Sequence, residues 1–169
     1  MTTEYALDEA GGVWVWDTLR RKKNAPVKLE GIPPVLHLSQ HAPRPGSRWG
    51  AGGIGCFVLT DGRVHCDGPN PVVEGLTDVV SVVAHARPEG CALRKDGVVR
   101  CWTYAEGTPT ARDVVTDVLT EVDRILGSIA GYCALRREGS VWCWGSNETG
   151  LIGPDMPIHD APPAAVVGL

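Results

Sequence analysis

The residues CALRKDGVVRCW, Cys91 to Trp102, read as one β-hairpin. The two cysteines are symmetric about Asp96. A three-residue loop of Lys95, Asp96 and Gly97 then pairs Arg94 with Val98, Leu93 with Val99, Ala92 with Arg100 and Cys91 with Cys101. Loops of this length join a type I turn to a left-handed residue, a conformation glycine adopts without a Cβ clash. Nearly the same word recurs at Cys56–Cys66 (CFVLTDGRVHC) and at Cys133–Trp144 (CALRREGSVWCW). A degenerate copy opens the chain at Tyr5–Trp16 (YALDEAGGVWVW). The loops differ, yet Gly11, Gly62, Gly97 and Gly139 take the third place in each. The shared symmetry predicts that Cys56 faces Cys66, Cys91 faces Cys101 and Cys133 faces Cys143, with Tyr5 opposite Val15 in the first copy.

Side chains alternate along a strand, so Cys91, Leu93, Val99 and Cys101 share one face and Ala92, Val98 and Trp102 the other. A hairpin apolar on both faces must be sandwiched between neighbours, as a propeller blade or a stacked layer is. Between the hairpins lies a second recurring word: PVKLEGIPPVLHLS from Pro26, PVVEGLTDVVSVVA from Pro71 and a degenerate VVTDVLTEVDRILGSIA from Val114. A short copy, PAAVVGL, ends at Leu169. Each full copy predicts two short strands around a turn, making four strands per repeat with its hairpin. The turn glycines are 51, 35 and 42 positions apart, near the period of four-stranded propeller blades. The fold class is thus all-β, a propeller-type repeat protein of about four four-stranded repeats. Its expected divisions are a half repeat at 1–25, repeats at 26–70, 71–110 and 111–160, and a truncated half repeat at 161–169.

The bulk composition narrows the function. The formal charge is −4 across 169 residues, which lacks the basic footprint of a nucleic-acid-binding domain. No apolar run approaches the roughly 20 residues of a membrane span. The start, MTTEYALDEA, has neither a basic segment nor an apolar core of a secretory signal, so the expected address is cytoplasmic.

The cysteine pairs leave three readings open: disulfides, reduced buried thiols, or a metal site. Facing cysteines can bond in an oxidising compartment, and free cysteines pack as small apolar residues. Zinc needs four converging ligands, and neighbouring blades would separate the pairs; no metal or cofactor is expected. His37, His41, His65, His85 and His159 show no ligand spacing, and no catalytic motif stands out. The run Arg20–Lys23 (RRKK) suits a solvated loop, and the NET of Asn147–Thr149 suits a turn better than a glycosylation acceptor. The segment SQHAPRPGSRWGAGGIG, Ser39 to Gly55, interrupts the repeat. Long loops in compact domains are often functional, and tryptophan and arginine are enriched in binding hot spots. Arg44, Arg48 and Trp49 are therefore the candidate partner-binding residues.

With its hairpins and linking words laid out, the chain resembles the regulator of chromosome condensation repeat family. The likeness is fullest over Cys133–Gly153, CALRREGSVWCWGSNETGLIG. The second copy departs from the pattern with Asp67 in the tryptophan's place. The resemblance implies blades of a seven-bladed propeller that bind proteins through loops at the propeller faces. It points to a non-catalytic protein- or peptide-binding module. The alternatives are an auxiliary subunit that holds a peptide for a separate modifying enzyme, or a guanine-nucleotide exchange regulator. Three full repeats and two halves fall short of seven blades. The N-terminal hairpin and PAAVVGL are complementary halves, able to complete a blade within one chain or between two. An open arc would expose Val13, Val15, Val141 and Trp142 at its ends, so a homodimer or a completing subunit is the expected partner.

Overall fold

The computed structural model of the protein describes residues 3–17, 25–40, 55–66, 72–84, 89–105, 108–110, 119–128, 131–148, 150 and 152–166. These residues form four antiparallel sheets. The first holds β1 (Thr3–Leu7), β2 (Val13–Asp17) and β3 (Val27–Lys28). The second holds β4 (Val35–Gln40), β5 (Gly55–Leu59) and β6 (Val64–Cys66), and Val72 extends its outer edge by a bridge to His65. The third holds β7 (Val79–Ala84), β8 (Glu89–Arg94), β9 (Val99–Ala105) and β10 (Thr108–Thr110). The fourth holds β11 (Val122–Ser128), β12 (Gly131–Arg136), β13 (Val141–Gly145) and β14 (Ala161–Ala165). The inner strands meet in sequence, β4 on β7 and β7 on β11, so the sheets follow one another as the blades of a partial propeller.

Sheet membership divides the chain elsewhere than at 25/26, 70/71 and 160/161, while residues 111–118, just past the 110/111 division, lie outside the described residues. The linking words from Pro26 and Pro71 are each shared between two sheets. The first strand of each (β3, or Val72) closes the outer edge of one, and the second (β4, or β7) opens the inner edge of the next. The turn between them, at Gly31 and Gly75 with φ of 80° and 81°, carries the chain across. The C-terminal word behaves likewise: β14 pairs with β13 and completes the fourth sheet, not the N-terminal hairpin. Closure by pairing the two ends within the chain is therefore not the arrangement adopted. Outer strands carry residues that discourage further pairing: Lys28 in β3, Pro109 in β10, and Pro162 and Pro163 in β14.

The hairpin loops show why glycine stands third. At Gly62 and Gly97 φ is 78° and 87°, and their N–H groups donate to Leu59 and Arg94 O at 2.9 Å. Their carbonyls face the next sheet. Val79 N donates to Gly62 O, and Val122 N to Gly97 O, both at 3.0 Å. Val35 N reaches Gly11 O in the same way at 2.9 Å. The turn of each sheet is thus tied to the first residue of the following inner strand.

Three apolar interfaces separate the sheets. Cys56, Val58, Val64 and Cys66 pack on Val82, Ala92 and Trp102 of the third sheet. Cys91, Leu93, Val99 and Cys101 pack on Ile125, Tyr132, Ala134 and Trp144 of the fourth. The first interface differs: Val13 and Tyr5 meet Val35, Phe57 and Leu59. Val13 is accordingly buried inside the arc rather than bared at its end, whereas Val15, Val141 and Trp142 are half-buried.

Candidate functional site

The hairpin register stands the cysteines opposite one another, Cys56 with Cys66, Cys91 with Cys101 and Cys133 with Cys143. Their sulfurs are bonded, at 2.10, 2.14 and 2.06 Å. All six are used in this way, which leaves no thiol among them for metal binding or nucleophilic chemistry. Among the described residues no group of three or more His, Cys, Asp or Glu side chains is placed to hold a metal ion. Arg44, Arg48 and Trp49 lie outside the described residues, as do Arg20–Lys23, His41 and His85. Asn147 is buried. Its side-chain amide donates to Gly153 O at 2.8 Å and Met156 O at 3.2 Å and accepts from Ile152 N at 2.9 Å. It organises the turn after β13 and is not presented to solvent as a glycosylation acceptor.

A bulge recurs from sheet to sheet on the described surface. Each inner strand carries a bulge after its first residue: between Val35 and His37 in β4, Val79 and Ser81 in β7, and Val122 and Arg124 in β11. A bulge re-aims the side chain at the extra residue. That residue is Leu36, Val80 and Asp123 in turn. Leu36 is 58% exposed and Val80 44% exposed, although both belong to well-packed strands. They take the same position on neighbouring inner strands, beside the hairpin turns to which Val35 and Val79 are bonded. Strict alternation in VLHLS would put Leu36 on the face of Leu38, which packs in the first interface. The bulge breaks that alternation, so sequence reasoning missed the rim.

A charged collar surrounds these positions. Arg94 donates from Nε to Thr77 O at 3.2 Å and pairs with Asp96 at 3.1 Å and Asp78 at 3.7 Å. Arg136 repeats the arrangement one sheet on, with Thr120 O at 3.1 Å, Glu138 at 3.0 Å and Glu121 at 3.1 Å. Asp78 and Glu121 are held at φ of 56° and 59°, a strained conformation for non-glycine residues. Their carbonyls accept Lys95 N and Arg137 N, each at 2.8 Å. On the hairpins, Arg63 pairs with Asp61 at 2.7 Å and holds that carboxyl below its usual range; the Ser140 hydroxyl does the same to Glu138. Deeper in the rim, His37 Nδ1 accepts from Val82 N at 3.4 Å and Ser39 Oγ from Ala84 N at 3.0 Å. Burial pushes the His37 pKa below its ordinary value, as suits a neutral acceptor.

Residues 131–150 match the family model of the regulator of chromosome condensation (RCC1) repeat. The chain carries an RCC1 repeat on an RCC1-type propeller fold. Solved structures agree along nearly its whole length. Human WBSCR16 superposes with a TM-score of 0.66 at 20% identity, over 98% of this chain and 51% of that one. Yeast RCC1 (Prp20), solved bound to Kap60, gives 0.66 at 16% identity over 99% of this chain and 47% of that one. Prp20p from Saccharomyces cerevisiae, described with its binding to Gsp1p and histones, gives 0.67 at 16% identity over 99% and 48%. The chain therefore spans about half the length of the propellers it matches. No curated protein sequence matches it significantly.

Proposed function

We propose that the arc is a non-catalytic binding module that holds a protein or peptide segment against the rim formed by the inner-strand bulges. The carrying observation is the exposure of Leu36 and Val80 at equivalent bulges of adjacent strands. Exposed apolar residues in series, rimmed by ion pairs, have the composition of an interaction site. The carboxylates nearest them, Asp78, Glu121 and Asp123, are each paired with an arginine (Arg94, Arg136 and Arg124), so the apolar side chains carry the recognition and the ion pairs frame it. One of the similar propellers, yeast Prp20, is described with protein partners in two structures, Kap60 in one and Gsp1p and histones in the other, and a protein ligand is the natural extension to this arc. The three disulfides favour an oxidising compartment over the expected cytoplasmic address.

Immobilised protein, incubated with host extract, tests the reading. A specific partner should be retained by the wild type and lost with Leu36→Glu plus Val80→Glu. Ile158→Glu, at an equally exposed site beyond the other end of β13, should leave retention intact. Equal retention by all three proteins refutes the rim as the site.

A further inference from the structure

The junction between the second and third sheets, beside the rim, is tied by a titratable side chain. His37 directly follows Leu36 at the β4 bulge, and Ser81 directly follows Val80 at the β7 bulge. Cross-strand pairing puts His37 in one row with Val58 and Val64, and Ser39 in one row with Cys56 and Cys66. Val58, Val64 and the two cysteines pack on the third sheet. On the same face β4 reaches across to β7. His37 Nδ1 accepts from Val82 N at 3.4 Å, Ser39 Oγ accepts from Ala84 N at 3.0 Å, and His37 Nε2 stands 3.5 Å from Ser81 Oγ. An Nδ1 that accepts leaves the ring hydrogen on Nε2, so this contact requires the neutral imidazole. The next junction is built otherwise. Ser81, paired with Leu93, takes the place of His37; Val83, paired with Cys91, takes that of Ser39 and lies against Gly127. In the fourth sheet the place of His37 belongs to Arg124, opposite Leu135. Of these three side chains only His37 changes charge near neutral pH.

Among the described residues, the strands packed on β4 bring few ionisable groups to it. β5 and β7 contain none apart from the bonded Cys56. β1 contributes Glu4, but alternation puts it on the face of the first sheet opposite Tyr5, which packs towards the second. His65 of β6 stands over Phe57, on the other face of the second sheet. Asp78, just before β7, and Asp123, in β11, are paired with Arg94 and Arg124. Burial is accordingly what lowers the His37 pKa below its ordinary 6.5.

We propose that this junction is an acid-sensitive latch on the rim: when His37 takes a proton from solvent, Nδ1 no longer accepts from Val82 N, β4 and β7 part there, and Leu36 and Val80 lose the spacing that holds a ligand. The effect on binding rests on the rim being the site proposed above; the parting of the strands does not. The parted state has the ordinary pKa and the closed state a lower one. Closure is therefore full above about pH 6.5 and is lost as the pH falls below it. Each disulfide joins two strands of one sheet, so no covalent bond spans the junction and opposes its parting.

Nuclear magnetic resonance of the full, oxidised chain, without any partner, tests the latch between about pH 7.5 and 5.0, a range that brackets the ordinary histidine pKa. Amide protection at Val82, corrected for the intrinsic pH dependence of exchange, should fall by roughly fivefold or more, the lower end of couplings between sites. Protection at Val122, whose N–H is bonded to Gly97 O at the next junction, should hold. The methyl resonances of Leu36 and Val80 should shift with the titration of the His37 ring. In His37→Gln, which stays neutral and keeps an acceptor for Val82 N, protection and methyl shifts should both be flat. His37→Arg, charged throughout, should hold the methyl groups at their acid positions at pH 7.5; if it loses the strand signal in circular dichroism, His37→Gln carries the test. A His37 ring that titrates while Val82 protection or the two methyl groups stay unchanged overturns the proposal, as does a response that persists in His37→Gln. The rim is judged separately. Extract retention that Leu36→Glu plus Val80→Glu does not reduce refutes the rim and leaves the spectra to decide the latch. Rim-dependent retention that is equal at both ends of the pH range overturns the control of binding.

Discussion

Between the first and second sheets Tyr5 meets Phe57 edge to face, with ring centroids 5.8 Å apart. Between the second and third, the Cys56–Cys66 disulfide meets Trp102. The two junctions occupy equivalent places and fill them from opposite strands. In the third sheet the bulky residue is Trp102 on the outer strand of the hairpin, and Ala92 leaves room for it on the inner one. Gly90, across from Trp102, lets the ring lie close; a Cβ there would collide with it. In the second sheet the tryptophan position is Asp67, and the alanine position is Phe57, which is fully buried. Its partner sheet has Tyr5 and Val15 where a cystine would stand. Aromatic bulk is kept while the covalent bond is given up, which shows that the wedge between sheets demands volume more than it demands a particular residue.

The largest expected effect comes from removing that volume. Trp102→Ala should cost about 3–5 kcal/mol in chemical denaturation, and Phe57→Ala a similar amount. A Phe57→Ala loss below about 1 kcal/mol would break the equivalence of the two junctions. Next comes the covalent bond. Replacing Cys91 and Cys101 together by serine should lower stability by about 2–3 kcal/mol through the unfolded chain. The Tyr5–Phe57 junction should be untouched, with amide exchange in β1 and β5 unchanged relative to global unfolding. Faster exchange in β1 would mean that the junctions are coupled.

The turn glycines sharpen the comparison at a smaller scale. All carry positive φ, 78° at Gly62 and 92° at Gly139, so alanine is strained in either place. That strain is about 1–2 kcal/mol. A Cβ at Gly62 would also crowd the backbone of Asp78, at 3.0 Å, whereas one at Gly139 meets nothing within 4 Å, so Gly62→Ala should cost roughly 1 kcal/mol more than Gly139→Ala. Equal losses in thermal melts would mean that the turns do not carry inter-sheet strain.

The smallest effect belongs to His37, which sits where β4 meets β7. Its folded pKa lies below the ordinary 6.5, so the unfolded chain takes up a proton first as the pH falls. Stability should be full above about pH 6.5 and decline below it until the folded state is protonated too. His37→Gln, which keeps an acceptor for Val82 N, should flatten this decline between pH 7.5 and 5.5. An unchanged pH profile would remove His37 from the account.

Much of this was legible in the residues alone because it is local. A three-residue loop ending in glycine sets the pairing of its two strands, and side-chain alternation then assigns Cys91 and Trp102 to opposite faces. Those rules need no knowledge of neighbours. The linking words were harder. Their strands appear in the sequence, but whether Val27–Lys28 belongs with the hairpin before it or after it depends on which sheet edge lies nearest, and that is settled by packing. The rim at Leu36 and Val80 was hidden for a related reason: a bulge shifts the alternation by one residue, and tying Val35 and Val79 to the preceding turns helps fix where the shift falls. The sequence by itself determined the hairpins, their facing cysteines and the repeat. How the sheets share the chain and which apolar side chains reach solvent were settled by the packing of the sheets on one another. Local backbone geometry governs the first set, and contacts between residues far apart in the chain govern the second.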